Sequence, residues 1–256
     1  MTIELTGKVM GHVDQHTPAT LKATFEKSYV TLKLDDGSVY TGTLDQLPTV
    51  THKLPTVLFM HGSSGVNPAI REFAQHLAQM GWALIAPDSM QTEDRITYSS
   101  PIARETYEKI HALRYEELQY AVQHVKALPF LGDCLVLAGT SEGGVSVARF
   151  ENQSEIQESA RLILSWSCEN NYHVTEHRTH IPQDCPVLNI MSGTDPYFSR
   201  ANSYLDNDSA LGHAAQTLKD HKDATIVLLP GAPHTLFNLP QARTLIDAFL
   251  NRISDK

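Results

Sequence analysis

The chain has 256 residues, of which 41% are hydrophobic and 19% charged, with 14 glycines and 13 prolines. That is ordinary globular composition with ample material for one large core, and it excludes disordered, collagen-like and fibrous classes. Twenty basic against 29 acidic side chains give a net charge of −9 with no run of lysine or arginine, which excludes nucleic acid and anionic membrane as partners, since counterion release needs clustered cations.

The N-terminal stretch Met1–Lys8 (MTIELTGK) lacks a basic segment followed by an apolar one, so it does not read as a signal peptide. No apolar run approaches the roughly 18 residues of a membrane span. The expectation is a soluble, cytoplasmic protein, monomer or homodimer, that acts on a small molecule. Cys134, Cys168 and Cys185 are an odd number without paired spacings, so they are expected to be reduced, mostly buried thiols.

In chain order, Tyr29 to Leu34 and Val39 to Leu44 flank the turn Asp35-Asp36-Gly37-Ser38, which predicts an antiparallel hairpin. From about residue 55, short β-branched or leucine-rich runs alternate with segments of helical period. The runs are Thr56–Met60, Ala83–Ala86, Leu135–Ala138, Leu162–Trp166, Val187–Met191 and Thr225–Leu229. Their lack of alternation predicts strands covered on both faces, and the βα succession predicts a largely parallel sheet. Phe73, Leu77 and Met80 keep helical spacing, as do Leu118, Ala121, Val122, Val125 and Leu128. Leu245, Ile246, Phe249, Leu250 and Ile253 form a stripe behind Pro240, a residue suited to a helix's first turn. No repeat or linker asks for a second domain. Residues 1–256 read as one α/β domain, with a hairpin segment over 1–50 and a core over 51–256.

Gly139-Thr140-Ser141-Glu142-Gly143 follows the run Leu135–Ala138 and precedes a segment able to start a helix, the context that G-x-S-x-G requires. A serine on such a turn presents its hydroxyl at the carboxyl edge of the sheet, and flanking glycines let strand and helix pass closely. The hydroxyl is a weak nucleophile without a base and an orienting acid. Asp195 and His234 each follow a later run, in the chain order Ser, Asp, His. His61-Gly62-Ser63-Ser64-Gly65 follows the first strong run. It offers the N–H of Ser63, or of Ser64, to join that of Glu142 in an oxyanion hole.

These motifs, from His61-Gly62 through the Ser141 turn and Gly193-Thr194-Asp195 to His234, resemble the α/β-hydrolase superfamily over about residues 50 to 253. Ala86-Pro87-Asp88-Ser89, the doubled Gly143-Gly144 and the compact length look like the dienelactone hydrolase family within it. The resemblance implies a mostly parallel sheet of about eight strands flanked by helices and no large cap domain. It also implies hydrolysis of a small ester or lactone with no metal or organic cofactor. One position departs from the pattern, since dienelactone hydrolases carry a cysteine where this chain has Ser141. On this reading the catalytic residues are Ser141, Asp195 and His234, the oxyanion donors Glu142 and Ser63, and the cleft is walled by residues 88–101, 167–182 and 196–210.

Other features compete. His61 and Arg95 are candidate substrate-binding residues, and Arg95, closest to a strand end among Arg95, Arg104 and Arg114, would clamp a substrate carboxylate through paired N–H donors. Glu169 is the alternative orienting acid. His173, His177 and His180 stand at a spacing that would put three imidazoles on one helical face and hold zinc; solvated loop histidines are the plainer reading. The same triad would serve an acyltransferase, and the fold alone would serve a non-catalytic ligand-binding protein.

Overall fold

Apolar strands without alternation need cover on both faces, and the helices supply it. The computed structural model describes residues 3–255; Met1 and Thr2 of the N-terminal stretch, and Lys256, lie outside the described residues. The elements run β1 (Lys8–Met10), α1 (Pro18–Glu26), β2 (Tyr29–Lys33), β3 (Val39–Thr43), β4 (Leu54–Met60), α2 (Pro68–Gln79), β5 (Ala83–Ala86), β6 (Thr97–Ser99), α3 (Arg104–Val125), β7 (Leu131–Thr140), α4 (Glu142–Arg149), β8 (Ala160–Leu164), β9 (Val187–Ser192), β10 (Ala224–Leu229) and α5 (Pro240–Ser254).

Eight strands form one sheet in the order β10-β9-β8-β7-β4-β5-β2-β3. From β10 to β5 every pair is parallel, whereas β2 pairs antiparallel with both β5 and β3. The expected hairpin is therefore the edge of the main sheet rather than a separate layer. Side chains alternate between two cores along each inner strand: Leu58 and Met60 of β4 enter one, Val57 and Phe59 the other. The first core takes Leu118, Ala121, Val122 and Val125 from α3 and Val145, Val147 and Ala148 from α4. The second takes Phe73 and Leu77 from α2 and Ile246, Phe249 and Leu250 from α5. Each buried leucine, valine, isoleucine or phenylalanine among them contributes about 1.5 to 3 kcal/mol of transfer free energy.

Local chemistry sets the element ends. Asn67 caps α2 by accepting from the Ile70 N–H at 3.1 Å, and Pro68 and Pro240 open their helices at the first turn. Strand β8 ends two residues earlier than the run Leu162–Trp166 suggests, because Ser165 turns to φ 50°. Two features lie beyond the sequence reading. One is α1, capped by Thr17; the other is a two-stranded antiparallel sheet in which β1 lies against β6.

The strand order reverses at the sheet centre. From β4 the chain steps outward to β5, and from β7 it steps the other way to β8, so the loops leaving β4 and β7 diverge above their carboxyl ends. Such a crevice is where open parallel sheets hold ligands.

Candidate active site

Ser141 stands between β7 and α4 at φ 55°, ψ −121°. A side chain other than glycine is strained there, and the site holds it from both sides. Its N–H donates to the Leu164 carbonyl at 2.9 Å. A Cβ on Gly143 would stand 2.0 Å from the Met60 carbonyl oxygen and 2.6 Å from that of His61, while one on Gly139 would stand 2.3 Å from the Gly143 oxygen. Backbone must pass backbone at both positions, so only glycine fits. Gly143→Ala is expected to cost at least about 3 kcal/mol, since rigid backbone cannot yield as a core side chain would. Thermal unfolding should show Tm lower by about 6 to 12 °C; an unchanged Tm would mean that α4 does not press on β4 this closely.

Asp195 follows β9 and is fully buried. Its Oδ1 accepts from the N–H groups of Tyr197 at 2.9 Å and Phe198 at 3.0 Å, and its Oδ2 lies 2.7 Å from His234 Nδ1. With all three contacts made to a carboxylate, which can only accept, His234 Nδ1 is the donor and Nε2 is the ring nitrogen free of Asp195. The His234 backbone is tied down as well, its carbonyl accepting from Ser165 Oγ at 2.5 Å. Phe237, three residues on, packs between Phe59 of β4 and Phe73 of α2, with ring centroids 5.8 and 5.4 Å away.

Ser141 and His234 line one cleft of about 530 Å³ together with Ser63, Ser64, Tyr98, Ser99, Ser100, His173, Tyr197 and Phe198. All three segments expected to wall it contribute. Its inner surface is aromatic: the Tyr197 ring meets His234 edge-on at 4.7 Å and Phe198 meets His173 at 5.1 Å. Burial pushes the His173 imidazole down to about 3, which keeps it neutral. The loop after β4 closes the other side, where a Cβ on Gly62 would touch Ser141 Cβ at 3.4 Å. Among the described residues the N–H groups of Ser63 and Glu142 donate to no backbone or side-chain acceptor.

Two expected binding residues lie behind the cleft instead of in it. Arg95 is buried, with Nη1 donating to the Ile96 carbonyl and Nη2 paired to Glu142 at 2.9 Å, so no N–H fork faces a substrate. His61 is fully buried, its Nδ1 donating to the Gly62 carbonyl at 2.7 Å and its Nε2 accepting from the Ser89 N–H at 3.0 Å. Burial, with the Arg114 charge beside it, holds its imidazole well below the usual range. Both residues belong to a polar network that includes Arg114, Glu117, Glu142, Ser89 and His16. Sequence reading weighed Arg114 only as a substrate clamp or a surface helix residue and passed over Glu117, yet the stripe Leu118, Ala121, Val122, extended back by four and seven residues, lands on both. A charged pair on an apolar face was the available signal.

The remaining alternatives are occupied elsewhere. Glu169 accepts from the N–H groups of Leu211 and Gly212, each at 2.8 Å. No helix forms over residues 165–186, so His173, His177 and His180 share no helical face, and among the described residues no group of histidine, cysteine and carboxylate side chains is arranged to hold a metal. The three cysteines are free, and burial pushes the Cys168 and Cys185 thiols up, the latter to about 12. Among the described residues no helix is long and apolar enough to cross a membrane.

A mostly parallel eight-stranded sheet with a strained serine at the carboxyl end of a central strand is the architecture of the α/β-hydrolase class. The sequence matches the dienelactone hydrolase family over residues 42–248, and the chain belongs to that family. It is accordingly a hydrolase acting on esters. No curated protein matches it by sequence. Among solved structures it is similar to Est1E from Butyrivibrio proteoclasticus, with 16% identity over 90% of this chain and 94% of that one and a TM-score of 0.55. TT1662 from Thermus thermophilus gives 16% identity over 80% and 91% with a TM-score of 0.58. Esterase PE8 gives 16% over 81% and 96% with a TM-score of 0.53. At such identities these likenesses speak for the fold.

Proposed function

We propose that the chain is a serine hydrolase that cleaves a small, uncharged ester or lactone through an acyl-enzyme on Ser141. The observation that carries this is the 2.7 Å contact from Asp195 to His234 Nδ1, which leaves Nε2 as the nitrogen to serve Ser141, a residue that lines the same cleft as His234. His234 Nε2 takes the Ser141 hydroxyl proton as Oγ bonds to the substrate carbonyl carbon, and the N–H groups of Ser63 and Glu142 receive the oxyanion. When the tetrahedral intermediate collapses, the ester C–O bond breaks and the imidazolium returns the proton to the leaving alkoxide. Water then enters by the same route: His234 removes its proton, hydroxide adds to the acyl carbon, and Ser141 Oγ leaves reprotonated.

The restriction to uncharged substrates follows from what walls the cleft. Its lining among the described residues includes no lysine, arginine, aspartate or glutamate, and the nearby guanidinium of Arg95 is spent on Glu142. A carboxylate close to the scissile bond would lose hydration without gaining a counter-charge. In a paired assay, kcat/KM for 4-nitrophenyl butyrate should exceed that for mono-4-nitrophenyl succinate by at least about tenfold, the effect of 1.4 kcal/mol. Preference for the succinate would show that a cation does reach the cleft, and turnover of neither, with no acyl-enzyme formed, would remove the hydrolase mechanism itself.

A further inference from the structure

The two backbone segments that would bind the oxyanion are not held together by the sheet. The β4–β7 ladder ends at Met60 opposite Gly139, and beyond it one segment becomes the His61-Gly62-Ser63 loop while the other becomes the Ser141-Glu142 turn. The side chain that bridges them is Arg114, on α3 and fully buried. Its Nη2 donates to the His61 carbonyl at 2.9 Å, its Nη1 faces His61 Nε2 at 3.3 Å, and its Nε lies 3.4 Å from Glu142 Oε1. Nη1 also donates to Glu117.

We propose that Arg114 is a positioning residue for the oxyanion site, its planar guanidinium fixing the spacing between the Ser63 N–H on one segment and the Glu142 N–H on the other. The inference rests on the acyl-enzyme mechanism above and adds a residue that never meets substrate. Oxyanion donors act only when they are aimed before the reaction begins, and a few tenths of an ångström decide their worth. A guanidinium suits the task because it is planar: Nη2 donates to the His61 carbonyl and Nη1 to Glu117, while Nε lies within ionic range of Glu142 without a hydrogen bond to it, a placement that an ammonium on a flexible stem cannot reproduce. The surroundings hold the fork still. Glu117 accepts from Ser89 Oγ at 2.5 Å and lies 3.0 Å from His16 Nε2, while Arg95 shares Glu142 Oε1 with Arg114. Burial raises the Glu117 carboxyl, but the Arg114 charge and these partners outweigh it and hold the group at about 2, so Glu117 stays ionised over the working pH range.

Arg114→Lys keeps the charge and removes the fork. It should lower kcat for 4-nitrophenyl butyrate by about tenfold to a hundredfold, part of what one lost oxyanion donor costs, with KM changed by less than about twofold. Affinity for an aryl trifluoromethyl ketone, which becomes an oxyanion on Ser141, should fall by the same factor as kcat/KM. The pH profile of kcat/KM should keep its apparent pKa, because Asp195 and His234 are untouched. Arg161 is the control: it is as deeply buried, donates to Glu158 and to the Val147 carbonyl, and Arg161→Lys should lose stability without moving kcat against ketone affinity. Should Arg114→Lys fail to fold, Glu142→Gln removes the carboxylate that Arg114 holds while keeping the backbone N–H, and the same loss in kcat and ketone affinity is expected. A folded variant with normal kcat and ketone affinity, or an Arg161→Lys loss of the same pattern, would overturn the role. Failure of the ketone to bind the unaltered protein would instead overturn the acyl-enzyme mechanism.

Discussion

Ser141→Ala is expected to lower kcat for 4-nitrophenyl butyrate by a factor on the order of 10⁵ to 10⁶, about 7 to 8 kcal/mol of barrier. Such a loss reflects the removal of the atom that forms the acyl bond, against the more modest effects of residues that only aim or polarise. The fold should remain intact, because the Ser141 hydroxyl caps no helix and the backbone contacts that hold its φ of 55° come from its own N–H and from neighbouring glycines. No thiol is placed to take over, since Cys168 and Cys185 are buried and their protonated forms favoured. Circular dichroism checks the fold and a stopped assay the rate. Turnover within tenfold of the unaltered protein would place the nucleophile elsewhere, and 10 is far below the range that removal of a nucleophile produces.

Asp195→Asn should lower kcat by about 10³ to 10⁴, or about 4 to 5.5 kcal/mol, by analogy with other triads. The geometry gives the reason. Asp195 Oδ1 already accepts two backbone N–H groups, from Tyr197 and Phe198. The amide oxygen of the variant takes that place, which turns its NH₂ toward His234 Nδ1, 2.7 Å from the present Oδ2. Nδ1 must then accept, the ring proton moves to Nε2, and the base faces Ser141 in the wrong tautomer. Glu169→Gln is the matched comparison. The two oxygens of Glu169 accept from the Leu211 and Gly212 N–H groups, one each, so the amide keeps one of these bonds and loses the other; that costs stability but touches neither Ser141 nor His234, and kcat of the folded variant should change by less than about threefold. A large loss in the Glu169 variant beside a nearly normal Asp195 variant would mean that the acid comes from the loop after β8.

The fold was legible where the physics is local and repeated. Strands β4, β5, β7 and β9 were found because leucine and β-branched runs covered on both faces leave little else for such segments to be, whereas β10, found from the same kind of run, is an edge strand with exposed residues and not covered on both faces as expected. The glycines about Ser141 were legible for a similar reason, as close approach of backbones permits no other residue. The small β1–β6 sheet was not legible, since strands of three residues, one of them exposed throughout, carry little pattern. Nor was the direction of Arg95. Its position near the end of β5 suggested a substrate clamp, but a residue's place along the chain does not tell which way its side chain turns, and a buried carboxylate two strands away, Glu142, drew it inward. His173, His177 and His180 lie in a loop, as the plainer reading had it, because three polar residues at that spacing do not make a helix without an apolar face to bury; His173, however, is buried and not solvated.

Labelling with a fluorophosphonate probe, followed by peptide mapping, addresses activation and position of the nucleophile together. A single modified peptide is expected, carrying the phosphonyl group on Ser141, with labelling abolished by Ser141→Ala and slowed by Asp195→Asn. A label on Cys168 or on another serine, or no label on a folded protein that still hydrolyses 4-nitrophenyl butyrate, would contradict acyl transfer through Ser141.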